Sequence, residues 1–93
     1  MFVLELEFTG NPHRLAARPA HRVRLHALQA GGQLVLAGPW ADDTGAVLVF
    51  DTDRAGAEEI MSADPYYATL GVQVKSLREW QPIVTPAGLS ARP

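Results

Sequence analysis

The sequence predicts an α+β domain in which a four-stranded antiparallel sheet carries two helices, in the chain order β-α-β-β-α-β. Two observations point to this class. Stretches of alternating apolar and polar residues, which are typical of half-buried strands, are interspersed with two stretches whose apolar residues recur at helical spacing. Clusters of Gly, Pro, Asn and Asp mark most of the joints between them. At 93 residues the chain has room for one domain with a single core.

The first strand is predicted over residues 2–8. Its odd-numbered positions include Glu5 and Glu7, whereas its even-numbered positions are all apolar, namely Phe2, Leu4, Leu6 and Phe8. Successive side chains of a strand point to opposite faces, so this pattern predicts one buried and one solvated face. Turn formers in residues 9–12 end the strand.

Helical spacing follows from about residue 13 to residue 30, where Gly31 and Gly32 act as a stop signal. Pro19 interrupts this stretch. Proline is tolerated in the first turn of a helix but removes a hydrogen bond from its interior. We therefore expect the main helix to begin near Arg18 and to end at Ala30, with residues 11–17 as a loop or a loose turn.

Two further strands are predicted on either side of a polar hairpin connection. Residues 33–37 form a short, largely apolar stretch that is closed by Gly38 and Pro39, and residues 40–45 form the connection. Residues 46–50 include an apolar run on both faces. Such a strand is usually covered on both sides, so we expect it at the centre of the sheet.

A second helix is predicted over residues 54–63, with preceding aspartates as candidate N-caps and an apolar stripe of Ala57, Ile60 and Met61. Asp64 and Pro65 break it, because the residue before a proline is driven out of the helical region. Residues 66–70 are predicted to add one further turn.

The last strand is predicted over residues 72–84, with a bulge before Trp80. Residues 85–93 are rich in Pro, Gly, Ala and Ser, and we expect a flexible tail there. The chain is thereby divided into one domain, residues 1–84, and a C-terminal tail, residues 85–93.

This order of elements is the ferredoxin-like arrangement, in which both helices pack on one face of the sheet. The other face then has no cover within the monomer. Because soluble monomers rarely expose a large apolar patch, we expect two copies to pair through this face as a homodimer.

Composition argues against several classes of partner. The net charge of −2 leaves no basic excess for nucleic acid, although the chain has a local cluster of Arg14, Arg18, Arg22 and Arg24. That cluster is either a small anion-binding patch or a solvated helix face. The first residues resemble neither a signal peptide nor a membrane span, so no membrane partner is expected. A chain without cysteine has no thiolate nucleophile, and a cytoplasmic location fits it.

His21 and Asp64 are the candidate catalytic residues. His21 shares the inward stripe of the first helix with Leu25 and Leu28. An imidazole can serve as a general base near neutral pH if a carboxylate fixes its tautomer; alternatively, it is a buried histidine satisfied by a backbone carbonyl or a tail contact. Asp64 follows a helix C-terminus, where the helix dipole disfavours an anion. Its carboxylate either caps the turn at Pro65 or orients His21.

No metal or cofactor is expected. His13, His21 and His26 do not have the spacing of metal ligands, and the carboxylates supply no clear third ligand. The sequence also lacks a serine nucleophile elbow and a glycine-rich phosphate loop.

Four short motifs follow one another along the chain: Arg18-Pro19-Ala20-His21, Ala37-Gly38-Pro39, Ala63-Asp64-Pro65-Tyr66 and Trp80-Gln81-Pro82. In this order and at this chain length, they resemble the YciI-like (YCII-related) family of dimeric α/β-barrel proteins. The resemblance implies a ferredoxin-like protomer, a homodimer whose sheets pack face to face, and a cleft in which His21 and Asp64 form a catalytic dyad. The connection at residues 40–45 is short for this family, so the shape of the pocket is not carried over.

Four residues are candidates for binding a substrate. Arg18, one turn before His21, can bind a carboxylate or phenolate through its fork of donors, or it can lie on the surface. Tyr66 can offer its phenol to a ligand or simply pack. Trp40, beside Gly38, can line a pocket or pack in the core or the dimer.

Two functions stay open at this point. In the first, the protein is an enzyme without a cofactor, in which His21 takes a proton from a small aromatic or enol-forming substrate and Asp64 stabilises the imidazolium. The resemblance adds a lyase-like activity, such as elimination of halide from a chlorinated aromatic. In the second, the protein is a non-catalytic dimeric module, accessory or regulatory, that binds a small ligand or a protein partner in the same cleft.

Overall fold

The structure is a computed structural model that describes residues 1–86 and residue 89. Its elements are β1 (Phe2–Phe8), α1 (His13–Ala30), β2 (Leu34–Pro39), β3 (Gly45–Phe50), α2 (Arg54–Ala63), a 3₁₀ turn (Pro65–Ala68) and β4 (Val72–Glu79). The strands form one antiparallel sheet in the order β2-β3-β1-β4. This is the ferredoxin-like α+β fold, as predicted, and β3 lies centrally as expected.

The core lies between the helices and one face of the sheet. The even-numbered residues of β1 face this core. They are in register with core residues of β3, so that Leu4 pairs with Leu48 and Phe2 pairs with Phe50. These four side chains are between 0 and 6% exposed. Burying one such side chain contributes about 1.5–3 kcal/mol, so this face is a main source of stability.

Helix α1 begins at His13, and the prediction of a start near Arg18 was wrong. Pro19 lies in the interior of a helix of 18 residues. The helix continues across the proline because tertiary contacts hold both halves: Arg14 is buried before it and His21 after it. Packing thus outweighs the hydrogen bond that proline removes.

Helix α2 has the predicted bounds, Arg54–Ala63. The Asp53 side chain accepts a hydrogen bond from the Gly56 N–H at 2.7 Å, as an N-cap does. Ala57 is fully buried, and Ile60 and Met61 pack against the core. The helix ends before Asp64, and the predicted further turn is the 3₁₀ turn.

The remaining strands differ in their bounds from the predicted ones. β2 runs two residues further than expected, and β4 ends at Glu79 rather than at residue 84. β4 stops because its partner β1 begins at Phe2, and the backbones of Met1 and Trp80 make the last paired contacts. The bulge predicted before Trp80 lies earlier in β4, at Lys75. Its neighbours Val74 and Ser76 pair with consecutive residues of β1, and Lys75 itself is not paired in register with a residue of that strand.

The predicted tail falls largely outside the described residues, which lack 87, 88 and 90–93. Within its described part, the Leu89 N–H donates to the carbonyl of Pro86. No helix in residues 1–86 is long and apolar enough to cross a membrane.

Candidate functional site

A cleft of about 520 Å³ opens beside α1. Its apolar lining comes from the core face of the sheet and includes Leu6, Phe8 and Leu48. Residues of β2, including Gly38, line the cleft as well. This volume is within the range of small-molecule sites, and an apolar lining with a few polar groups is their usual composition.

Helix α1 lines the cleft with basic side chains. Arg14, Arg18 and Arg22 follow one another at intervals of four residues, and His21 lies between the last two. Residues four apart lie on one face of a helix. The helix contains no Asp or Glu. The wall of the cleft on this side is therefore positively charged.

His21 is hydrogen-bonded to Asp64, which comes from the end of α2. Nδ1 of the imidazole lies 2.6 Å from Oδ2 of the carboxylate, and the two residues are 6% and 7% exposed. Because a carboxylate can only accept, Nδ1 carries the proton. No hydrogen bond from residues 1–86 reaches Nε2, the nitrogen that is left to accept a proton.

Asp64 also caps the turn that follows it. Its second oxygen, Oδ1, accepts a hydrogen bond from the Tyr66 N–H at 3.0 Å. Pro65 holds Asp64 out of the helix, in extended backbone. One carboxylate oxygen of Asp64 thus contacts the turn and the other contacts His21, and an orienting role for Asp64 stays a prediction.

The positive charge of Arg24 offsets the unfavourable position of the Asp64 carboxylate at the C-terminus of α2. Its Nη1 donates to the carbonyl of Ala63, the last residue of α2, and lies 4.0 Å from Oδ1 of Asp64. A cation at this end of a helix is stabilising. Arg24 and Asp64 line a second groove, between the two helices, so that Asp64 lies behind His21 as seen from the cleft.

The imidazole is also held by two aromatic rings. It is stacked on Tyr66, with 3.9 Å between centroids and 8° between planes. Tyr67 meets it edge-on at 5.3 Å. Only Tyr66 of the two lines the cleft.

Tyr67 carries a buried hydroxyl that has no hydrogen-bond partner in the described part of the chain. Burial raises the pKa of this phenol far above its usual range, and the negative charge of Asp64 adds to the effect. The phenol is therefore neutral at all physiological pH values.

Arg14 is a site residue that sequence reasoning did not single out. It is 7% exposed, its Nη2 donates to Oδ2 of Asp43 at 2.9 Å, and its guanidinium lies 4.2 Å from the centre of the Phe8 ring. Burial opposes its charge, but the Asp43 carboxylate and the Tyr66 hydroxyl outweigh burial, so the pKa of Arg14 is raised. The arginine cluster was a signal for this residue, but nothing in the cluster distinguished its buried member.

The predicted site residues are partly brought together. Arg18, His21, Gly38 and Tyr66 all line the cleft. Asp64 is not among the described residues that line the cleft, but it is hydrogen-bonded to His21, which is. Trp40 is half-exposed and is not among the described residues that line the cleft, and a binding role for it stays a prediction.

No group of three or more His, Asp and Glu side chains within residues 1–86 is arranged to hold a metal ion. The cleft offers basic and apolar side chains, and Asp43 is the only acidic residue in its described lining. These donors suit an organic anion better than a cation.

A family model for the YCII-related domain matches residues 1–81. The chain belongs to the YCII-related family. The match covers the whole sheet, both helices and all of the described residues that line the cleft. No curated protein matches this YCII-related chain.

Proposed function

We propose that this YCII-related protein is a cofactor-independent acid/base enzyme acting on a small aromatic or enol-forming molecule. The observation that supports this most is the hydrogen bond from Nδ1 of His21 to Asp64, which leaves Nε2 as the acceptor nitrogen of a residue that lines the cleft. A base with this orientation is suited to abstracting a proton from a bound ligand.

In the proposed reaction Nε2 takes a proton from an acidic C–H or O–H bond of the substrate. The electron pair of that bond moves into the substrate and forms an enolate or a new double bond. In an elimination a leaving group such as halide departs with its own pair, whereas in an isomerisation the proton returns at another carbon. Asp64 stabilises the imidazolium formed in between, because its carboxylate is 2.6 Å from Nδ1.

The other cleft residues have matching roles in this proposal. The apolar lining around Leu6 and Leu48 suits a ring or a short hydrocarbon frame. Arg18, which lines the cleft about one turn from His21, stabilises negative charge on a substrate oxygen in this proposal. Gly38 and Tyr66 border the same space.

The experiment combines two assays on wild type and on His21→Gln. Release of halide from chlorinated di- and trihydroxybenzenes tests elimination, and uptake of deuterium from D₂O by cyclic enol-forming ketones, followed by NMR, tests proton abstraction. We expect turnover of at least one probe and a fall of about 10²-fold or more in His21→Gln. His13→Gln is the matched control, since His13 is exposed and outside the cleft lining. Equal rates in wild type and a folded His21→Gln would contradict the proposal.

We also propose that the protein is a homodimer paired through the face of the sheet opposite the helices. Leu36 is 61% exposed and is in register with Val49 and Val3, of which Val49 is 5% exposed and Val3 is half-buried. The exposed Leu36 supports the pairing of two copies. Sedimentation equilibrium should give twice the chain mass, and a monomer at all concentrations would contradict the proposal.

A second candidate function, a non-catalytic small-ligand-binding module, is favoured by the burial of the dyad. Both His21 and Asp64 are more than nine-tenths buried, and an anchor for a ligand needs a hydrogen bond but no turnover. This candidate predicts that a ligand raises the melting temperature of wild type but not of His21→Gln, while no probe is turned over.

A further inference from the structure

We propose that the cleft selects anionic ligands, that Arg14 binds their carboxylate or phenolate oxygens, and that Asp43 is a built-in competitor for Arg14. The inference rests on the proposed function in one respect, that the cleft binds a small molecule. It assigns a ligand class to the cleft and a role to two residues outside the dyad.

Arg14 has unused hydrogen-bonding capacity in a buried position. Its Nη2 donates to Asp43, but its buried Nε has no partner in the described part of the chain. A buried donor without a partner is unfavourable. A guanidinium has five N–H donors arranged to match two anionic oxygens, so an anion entering the cleft can make contacts that a single Asp43 oxygen does not.

The two members of this ion pair differ in how easily they can leave it. The Arg14 side chain is 9% exposed and is held against the Phe8 ring, whereas the Asp43 side chain is 46% exposed. Water can therefore solvate Asp43 when it leaves, whereas Arg14 stays in the wall of the cleft and needs an anion in place of Asp43. An exposed carboxylate on a buried guanidinium is the arrangement expected of a displaceable counter-ion.

Asp43 lies on the turn between β2 and β3, across the cleft from α1. Its backbone has φ +59°, a left-handed conformation that few residues other than glycine adopt. The Asp43 N–H donates to the carbonyl of Trp40 at 2.9 Å, which holds the turn in this shape. The turn thus places a carboxylate at the position where a ligand anion would meet Arg14.

The charge balance of the cleft supports an anionic ligand. Arg14, Arg18 and Arg22 line it, against Asp43 as the only acid among its described residues. Like charges four residues apart on a helix repel one another, so the spacing of these arginines does not stabilise α1. Its field attracts anions, and the apolar lining beside it suits an aromatic or aliphatic frame.

Calorimetric titration with 4-hydroxybenzoate and its neutral isostere 4-hydroxybenzamide tests the inference. We expect wild type to bind the anion at least tenfold more tightly than the amide. Asp43→Asn should tighten binding of the anion about 3–10-fold and leave the amide within twofold. Arg14→Lys, which keeps the charge but loses the fork, should weaken binding of the anion about tenfold or more.

Asp42→Asn is the matched control, because it removes the same charge from the same turn without touching Arg14. It should leave both affinities within twofold. If Asp43→Asn and Arg14→Lys both weaken binding of the anion, the Arg14–Asp43 ion pair is structural and the inference is overturned. Equal effects of Asp42→Asn and Asp43→Asn, equal binding of the two probes, or binding of neither also overturn it. The deuterium and halide assays on His21→Gln decide the proposed function separately.

Discussion

The imidazole of His21 lies parallel to the ring of Tyr66, with 3.9 Å between their centroids and 8° between their planes. Tyr66 is two residues from Asp64, which holds the same imidazole by its edge through Nδ1. One short segment therefore fixes both the plane and the tautomer of the histidine. Rigid support of this kind is what a base needs to present one nitrogen in a constant direction.

Replacing Asp64 with Asn should reverse the tautomer of His21. If the amide oxygen keeps the Tyr66 N–H, the amide NH₂ faces Nδ1, which must then accept, and the proton moves to Nε2. Proton abstraction in the cleft should fall about 10²-fold or more. ¹⁵N NMR of the ring nitrogens measures the tautomer, with His13 as an internal control. An unchanged Nδ1–H in Asp64→Asn would refute this prediction.

Tyr67→Phe should be at least as stable as wild type at neutral pH, by up to about 1 kcal/mol, because the hydroxyl it removes has no partner among the described residues. The two proteins should diverge in alkali. Burial raises the pKa of Tyr67 in the folded state. The raised pKa therefore adds to the free energy of unfolding below the unfolded phenol's pKa of about 10, and this contribution is lost as pH rises above it.

Above about pH 10, the free energy of unfolding of wild type should therefore fall by up to about 1.4 kcal/mol per pH unit relative to that of Tyr67→Phe. Urea unfolding of both proteins at pH 7, 10 and 11 measures the difference. A difference in the free energy of unfolding that is constant over this range would count against the assigned burial of the phenol.

Pro19→Ala should raise the free energy of unfolding by about 1–2 kcal/mol. The new N–H can donate to the carbonyl of Leu15, and interior proline costs about 3 kcal/mol in a helix, part of which is offset by the greater freedom of the unfolded chain. Urea unfolding measures the change. Pro12→Ala, at the N-cap position, is the control and should be neutral or slightly destabilising. A less stable Pro19→Ala would show that the proline is required by the packing of α1.

Gly71→Ala should destabilise the protein by about 2–4 kcal/mol. Gly71 has φ +96°, and a Cβ there would lie 2.9 Å from the Asn11 carbonyl oxygen and 3.3 Å from Cβ of Arg14. Gly10→Ala is the control, because a Cβ at Gly10 meets nothing within 4 Å. Thermal and urea unfolding of both variants test the prediction, which fails if the two are equally stable.

The parts of the structure that could be predicted are those encoded over a few residues. The alternation in β1 and the bounds of α2 follow from side-chain period, N-capping at Asp53 and the break at Pro65. The start of α1 could not be predicted in this way, since the helix persists through Pro19 only because Arg14 and His21 are buried on either side. The end of β4 likewise depends on where its partner strand begins.

The candidate site likewise contains residues that could be predicted from local motifs and one that could not. His21, Asp64, Arg18 and Tyr66 were identified as candidates from motif and position, and the structure places them together. Arg14 was not distinguished from the other arginines of α1. Arg14 is buried against the Phe8 ring and pairs with Asp43, which is 29 residues away along the chain.

The chain order of the strands and helices, the residues at their joints and the residue types available for chemistry could all be predicted, because they depend on periodicity and turn preferences within a few positions. Three features of the site depend instead on long-range packing: the carboxylate oxygen that contacts His21, the arginine that is buried in the wall of the cleft and the acid that pairs with it. Those contacts join residues 43 and 29 positions apart. They arise when α1, α2 and the β2–β3 turn pack over one face of the sheet, and no local pattern specifies that packing.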